Sequence, residues 1–118
     1  MGRPVVYFEI ACQERAKTDA FYAELFDWEL KPEKMSTRVA AGEGGIGGHI
    51  VAYGHEPHRQ TIFYVGVDDL RATLDRAEAL GGKTLVPPVE IPGNRGGIAL
   101  FADPEGNTIG LYRDPKTS

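Results

Sequence analysis

Residues 61–82, TIFYVGVDDLRATLDRAEALGG, place a strand and a helix in direct succession. β-Branched and aromatic residues dominate 61–67, which is typical of a strand. Asp68 and Asp69 offer an N-cap, because a carboxylate can accept hydrogen bonds from the free N–H groups of a first helical turn. Apolar residues at helical spacing follow, and a glycine pair ends them: Leu70, Leu74, Ala77 and Leu80, then Gly81 and Gly82. The segment therefore predicts a strand followed by an amphipathic helix.

The same order occurs earlier in the chain. Residues 5–11 alternate as a strand, and residues 14–27 predict a helix with an apolar stripe through Phe21, Leu25 and Trp28. A shift of 55 residues aligns the two copies, pairing Phe8 with Phe63, Ile10 with Val65, Leu25 with Leu80 and Leu30 with Leu85. Strands are expected at 29–30, 37–41 and 46–54 after the first helix, and at 83–86, 97–102 and 108–113 after the second. The prolines at 87–88 are expected to break the strand at 83–86. The chain thus predicts one domain of two strand–helix–strand–strand–strand (βαβββ) modules, about 3–55 and about 60–114.

Composition narrows the functional classes. The chain has 118 residues, 13 basic and 17 acidic, and its net charge of -4 argues against a nucleic-acid partner. It has no apolar run long enough to cross a membrane, and we expect no secretory leader, because the residues at its start read as a strand. The single cysteine, Cys12, forms no internal disulfide and fits a reducing compartment. We expect a cytoplasmic protein.

Side-chain alternation along the strands separates two faces of the sheet. One face is wholly apolar and is expected to pack on the helices: Val6, Phe8, Ile10, Ile50, Ala52, Phe63, Val65, Val67, Ile109 and Leu111. The other face carries the polar and aromatic residues Tyr7, Glu9, His49, Tyr53, Tyr64 and Tyr112. A solvent-facing sheet surface would explain these residues, but four tyrosines beside a carboxylate and an imidazole favour a binding cup.

Four stretches carry a family resemblance: FYAELFDW at 21–28, VDDL at 67–70, ALGG at 79–82 and DPEGN at 103–107. In this order and spacing, the chain resembles the vicinal oxygen chelate superfamily, which includes glyoxalases, bleomycin-resistance proteins and extradiol dioxygenases. The resemblance implies an α+β fold in which two tandem βαβββ modules form a U-shaped mixed sheet around a central cup. It also implies a homodimer, which would protect the exposed sheet edges.

Metal-dependent members of that superfamily hold a divalent ion with side chains from four strands. The matching positions here are Tyr7, Val51, Ile62 and Gly110. Valine, isoleucine and glycine side chains have no ligand atom, and tyrosine is a rare ligand. His55 and His58 lie in a polar linker and are expected to be solvated. We therefore expect neither a metal nor another cofactor.

Three functions remain open. The favoured one is a metal-free protein that binds a small planar or cationic ligand through Tyr7, Glu9, His49, Tyr53, Tyr64 and Tyr112. The alternative is a lyase or isomerase that uses Glu9 as a general base, with a tyrosine or His49 as the acid. The third is a module whose exposed sheet only dimerises. Glu9 would instead be structural if Arg95 or Arg113 held its carboxylate.

Overall fold

The structure of the protein is a computed structural model that describes residues 2–52 and 60–116. The chain forms two compact units, one of Tyr7–Ile62 and one of Met1–Val6 with Phe63–Ser118. Across the described residues, the elements are β1 (Val5–Cys12), α1 (Arg15–Phe26), β2 (Leu30–Pro32), β3 (Ser36–Val39), β4 (Gly47–Ala52), β5 (Thr61–Gly66), α2 (Leu70–Ala79), β6 (Lys83–Glu90), β7 (Gly97–Ala102) and β8 (Thr108–Arg113). Neither α1 nor α2 has the length and apolar character needed to cross a membrane.

The two units share one topology. In the first, the strand order is β2-β3-β4-β1, and β1 runs parallel to β4 while the other pairs are antiparallel. In the second, the order is β6-β7-β8-β5, and β5 runs parallel to β8 while the other pairs are antiparallel. A helix follows the first strand of each unit. The predicted α+β fold of two βαβββ modules is confirmed.

The core of the first unit lies between α1 and one face of its strands. Phe8, Ile10 and Ile50 occupy this face, as alternation predicts. From the helix side, Tyr22 stacks on Trp28 with ring centroids 5.2 Å apart. These contacts bury apolar surface, which is the main favourable term in folding.

The predicted apolar stripe of α1 is wrong at two positions. Phe21 and Leu25 are 59% and 58% exposed, whereas Tyr22 faces the core. The helix is also held by a polar contact, since the fully buried Thr37 hydroxyl donates to Asp19 Oδ2 at 2.5 Å. The contacts of Tyr22 and Asp19 set the rotation of α1 and leave Phe21 and Leu25 on its solvent side.

The second unit packs as the sequence predicts, except at Phe63 and at Leu80 of the predicted helical stripe, which is 64% exposed. Leu70 and Leu74 of α2 are buried against Ala99 and Leu111. The Asp69 side chain caps the helix by accepting a hydrogen bond from the Ala72 N–H at 2.9 Å. Phe63, which alternation assigns to the helix-packed face, is 43% exposed.

The strand β6 continues through the two prolines that were expected to break it. Its pairing with β7 shifts register between Thr84 and Val86 and again between Val86 and Val89. β6 is the last strand in the order of its unit. An edge strand tolerates proline because one side of its backbone needs no partner, so the prolines produce irregular pairing without ending the strand.

Candidate functional site

A hydrogen-bonded chain of three side chains lies on one face of the first unit. β1 and β4 run parallel, and Glu9 is the register partner of His49. Tyr7 precedes Glu9 by two residues and so projects from the same face. His49 Nε2 is 3.0 Å from Glu9 Oε1, and His49 Nδ1 is 2.8 Å from the Tyr7 hydroxyl. Alternation predicted that these residues share a face, and the parallel register brings them into contact.

Glu9 is the most buried residue of this hydrogen-bonded group. The Glu9 side chain is 6% exposed, the His49 side chain is 25% exposed, and Tyr7 is half-buried. When Glu9 is ionised, its carboxylate only accepts hydrogen bonds, so in that state Nε2 carries a hydrogen and donates it to Glu9. Nδ1 then accepts from the Tyr7 hydroxyl. Glu9 therefore fixes both the tautomer and the orientation of the imidazole.

This order of groups suits proton transfer at Tyr7. An imidazole that is hydrogen-bonded to a carboxylate through one ring nitrogen can accept a proton from a hydroxyl at the other. The carboxylate then stabilises the imidazolium that forms. The alternative hypothesis from the sequence uses Glu9 as the general base; in the structure, His49 and Tyr7 are more exposed than Glu9. The alternation of side chains does not predict the order Glu9–His49–Tyr7, because it does not say which residues of two parallel strands lie opposite each other.

The other residues predicted for the binding site are Tyr53, Tyr64 and Tyr112. Tyr53, His55 and His58 lie outside the described residues. Tyr64 and Tyr112 belong to the second unit, where Tyr64 is 3% exposed and lies opposite Gly110 in the register of β5 and β8.

The Tyr112 hydroxyl donates a hydrogen bond to the Arg95 carbonyl at 3.0 Å. Burial raises the pKa of this hydroxyl above its ordinary value, and the negative charge of Asp114 raises it further. Tyr112 is therefore a neutral phenol near neutral pH, and its proton is engaged by the protein backbone.

The two arginines that the sequence offered as alternative partners of Glu9 have contacts within the second unit. Arg113 forms two hydrogen bonds with the carboxylate of Glu90, at 2.7 and 3.0 Å. The Arg95 Nε donates to the Pro92 carbonyl at 3.1 Å.

The residues at the superfamily's metal positions do not fit a metal ion. Val51 and Ile62 offer no ligand atom, and the Tyr7 oxygen is hydrogen-bonded to His49. At Gly110, the ring of Tyr64 occupies the space where a ligand side chain would begin. Within 2–52 and 60–116, no group of three or more His, Cys, Asp or Glu residues is arranged to hold a metal.

A cavity of about 440 Å³ lies elsewhere in the first unit, at the carboxyl end of β1 and the start of α1. Cys12, Glu14, Lys17, Thr18 and Gln60 are among its lining residues. The residue Cys12 is itself buried. The cavity is distinct from the face that carries Tyr7, Glu9 and His49.

Comparisons with known proteins agree with the fold. A protein of Didymella fabae that is named as a glyoxylase-like domain-containing protein is 28% identical over 116 residues, which cover 91% of each chain. The chain spans less than half the length of other curated relatives that it matches.

Two solved structures illustrate the shared fold. One is a glyoxalase/bleomycin resistance protein/dioxygenase superfamily member from Vibrio splendidus 12B01, with a TM-score of 0.69, 15% identity and coverage of 96% of this chain and 100% of that one. The other is methylmalonyl-CoA epimerase from Mycobacterium tuberculosis, with a TM-score of 0.72, 15% identity and coverage of 95% and 88%. The sequence pattern of the glyoxalase-like domain family matches residues 6–112. The protein therefore belongs to the glyoxalase-like domain family, as the resemblance to the vicinal oxygen chelate superfamily implied.

Proposed function

We propose that the protein is a metal-independent isomerase or lyase that binds a small organic molecule beside Tyr7 and His49 and exchanges a proton with it. The observation that carries this proposal is the hydrogen-bonded chain from Glu9 through His49 to Tyr7. From the residues alone, binding without turnover was favoured over catalysis. The order of Glu9, His49 and Tyr7 favours catalysis instead.

A purely structural role explains the hydrogen bonds among Glu9, His49 and Tyr7 less well. A carboxylate that is 6% exposed is costly to bury, and its hydrogen bonds only offset that cost. An apolar residue at position 9 would stabilise a sheet more simply. An arrangement in which a buried acid orients an imidazole towards a half-buried hydroxyl is the pattern by which enzymes activate a weak acid or nucleophile.

The proposed step is a proton transfer without net oxidation or reduction. The Tyr7 oxygen takes a proton from an acidic C–H bond of the substrate while its own proton moves to His49 Nδ1. Return of the proton to the other face of that carbon, or to a neighbouring atom, gives the isomer and restores Tyr7 and His49. Glu9 acts as a positioning residue in this step. A structural neighbour named as an epimerase supports this reaction class, although at 15% identity its substrate is not carried over.

Binding without turnover is the second candidate. The Tyr7 and His49 rings lie 5.2 Å apart at 49°, with the Glu9 carboxylate beside them. Aromatic faces near a negative charge attract a planar cation, by about 0.5–2 kcal/mol per ring. This candidate requires affinity for such a ligand and no proton exchange.

Proton exchange with solvent tests the first candidate without knowledge of the product. The protein is incubated in deuterium oxide with a panel of small carbon acids (2-oxo acids, 2-hydroxy ketones and acyl thioesters), and C–H exchange is followed by NMR. We expect Tyr7→Phe and His49→Gln to lower the exchange rate of a responding compound by about 10²–10⁴-fold. Glu9→Gln should retain the fold and lower the rate, because the neutral amide no longer stabilises an imidazolium.

Tyr22→Phe is the matched control, since Tyr22 projects from α1 into the core of the first unit. Exchange that is unaffected by Tyr7→Phe and His49→Gln would contradict the proposal. Absence of exchange across the panel, combined with a thermal shift on adding planar cations that Glu9→Gln abolishes, would favour the second candidate. A large loss of melting temperature in Glu9→Gln with unchanged exchange or binding would make Glu9 structural.

A further inference from the structure

The second unit holds an apolar cavity of about 350 Å³, lined by α2 and by the sheet face on which α2 packs. Three of its lining residues, Val65, Val67 and Phe101, pack against the buried core but remain only partly buried. Protein interiors rarely leave voids much larger than a water molecule, whereas sites for small organic molecules occupy about 300–1,000 Å³. The core of the second unit is thus open on one side, and the opening has the size of a ligand site.

The internal repeat shows how this cavity arises. In the first unit, Tyr22 of α1 stacks on Trp28, and both rings pack against the buried core. The 55-residue shift places Ala77 at the position of Tyr22 and Lys83 at the position of Trp28. The second unit therefore lacks both aromatic rings, and the small side chain of Ala77 lines the cavity instead.

The charged residues at the cavity favour a negatively charged ligand. Its lining includes Arg3, Arg76 and Asp103. Arg3 forms an ion pair with Asp68 at 3.1 Å, and both oxygens of Asp103 accept hydrogen bonds from residues of its own turn. The positive charge of Arg76 is the one that these contacts leave unbalanced.

Arg76 is exposed and available to a ligand. In the part of the chain that the structure describes, its guanidinium forms no ion pair. The residues three and four positions away on either side are alanine, threonine and leucine, so no acidic neighbour in α2 competes for it. A guanidinium matches a carboxylate through two parallel hydrogen bonds.

We propose that this cavity binds a small amphipathic carboxylate, with its hydrocarbon part against Ala77 and Phe101 and its carboxylate on Arg76. The ligand is hydrocarbon at one end because the apolar lining offers a buried polar group no hydrogen bonds. It is anionic at the other end because Arg76 has no other partner of opposite charge. The cavity belongs to the second unit and the Tyr7–His49 pair to the first, so this inference is independent of the reaction proposed above.

Calorimetric titration with octanoate tests the ligand class. We expect one site per chain. From hexanoate through octanoate, the affinity should rise about fourfold for each added methylene that the cavity buries. The neutral analogue 1-octanol should bind about tenfold or more weakly than octanoate, because it cannot pair with a guanidinium.

Two substitutions locate the ligand. Ala77→Tyr supplies a ring like that of Tyr22, so it should fill the cavity and lower the affinity for octanoate at least about tenfold. Arg76→Gln should lower the affinity for octanoate by about tenfold and leave that for 1-octanol unchanged. The matched controls are Ala79→Tyr and Arg71→Gln, because both positions are exposed on the same helix and neither lines the cavity.

Thermal melts check that each variant is folded. If Ala77→Tyr is not, Ala77→Leu takes its place, since a smaller apolar side chain also reduces the cavity. Failure of octanoate to bind the wild-type chain would overturn the proposal. Unchanged binding to the folded variant at Ala77 would do the same, because it would place the ligand elsewhere. An equal loss in Arg76→Gln and Arg71→Gln would also contradict it, since general electrostatic attraction would then replace a pair with Arg76.

Discussion

Gly110 is a position where the absence of a side chain matters. It is the register partner of Tyr64 across β5 and β8, and the tyrosine ring occupies the space where a Cβ at position 110 would lie. Both residues are buried. Close packing of this kind leaves no room for an added group without displacement of its neighbours. The same contact prevents residue 110 from supplying a metal ligand.

We expect Gly110→Ala to destabilise the protein by about 1–3 kcal/mol, the usual cost of overpacking a filled site. Gly42→Ala is the control, because a Cβ at Gly42 meets no atom within 4 Å, and it should change stability by less than about 0.5 kcal/mol. Urea unfolding measures both values. Equal stability of the two variants would show that the Tyr64 ring moves aside at little cost.

Sequence alternation predicted which residues share a face but not which of them touch. It placed Glu9 and His49 on one face, yet their contact depends on the parallel register of two strands that are distant in sequence. It assigned Phe21 and Leu25 to the core because their spacing is helical, and spacing alone does not give the rotation of a helix about its axis. The buried contacts of Tyr22 and Asp19 decide that rotation.

At the scale of elements, the turn between β7 and β8 is organised by one carboxylate. Asp103 Oδ1 accepts hydrogen bonds from the N–H groups of Glu105 and Asn107, and Oδ2 accepts one from the Asn107 amide, all at 2.9 Å. The Asn107 side chain and then its backbone N–H lower the pKa of Asp103 below its ordinary value of 3.8, because they bind the ionised form. These hydrogen bonds hold the turn together.

The lowered pKa gives the turn a pH-dependent contribution to stability. A carboxyl whose pKa is lower in the folded state stabilises the fold above its unfolded pKa, and that contribution is lost as the pH falls through the folded pKa. We expect Asp103→Asn to lower the melting temperature near neutral pH, with the difference from wild type vanishing in strong acid. Thermal melts from about pH 7 to about pH 2 test this. Asp75→Asn, at an exposed position on α2, is the control. A difference that stays constant with pH would show that ionisation of Asp103 contributes nothing.

Element boundaries were predicted most closely where local chemistry fixes them. The Asp69 cap and the glycine pair at 81–82 bracket α2 as expected, because both act within a single turn of helix. β6 was predicted to stop at its prolines and does not, since tolerance of proline depends on the position of a strand within its sheet.

For the whole molecule, the internal repeat was the most informative feature of the sequence. The 55-residue shift predicted two modules of equal element order, and both units have that order and topology. The repeat does not constrain the chemistry of the site, because the residues at equivalent positions differ. Tyr7 in the first module, for example, corresponds to Ile62 in the second.

We expect the purified protein to contain no stoichiometric divalent metal, because Val51, Ile62 and Gly110 have no ligand atom where metal-dependent relatives would need one. Plasma mass spectrometry of protein purified without chelators measures zinc, nickel, iron and manganese. Dialysis against a chelator should leave the melting temperature and any activity unchanged. One tightly held metal per chain, lost together with stability on chelation, would contradict this expectation.

The parallel pairing of β1 with β4 has a consequence for synthesis of the chain. Tyr7 pairs with Gly47, so β1 is complete well before its partner strand is made. At a synthesis rate of roughly 5–20 residues per second, β1 remains without its partner strand for seconds. A helix forms within about a microsecond, and α1 follows β1 directly in the chain. Among the native neighbours of Phe8 and Ile10, Tyr22 and Trp28 are synthesised before β4, so these aromatic residues are available to cover them while β4 is still missing.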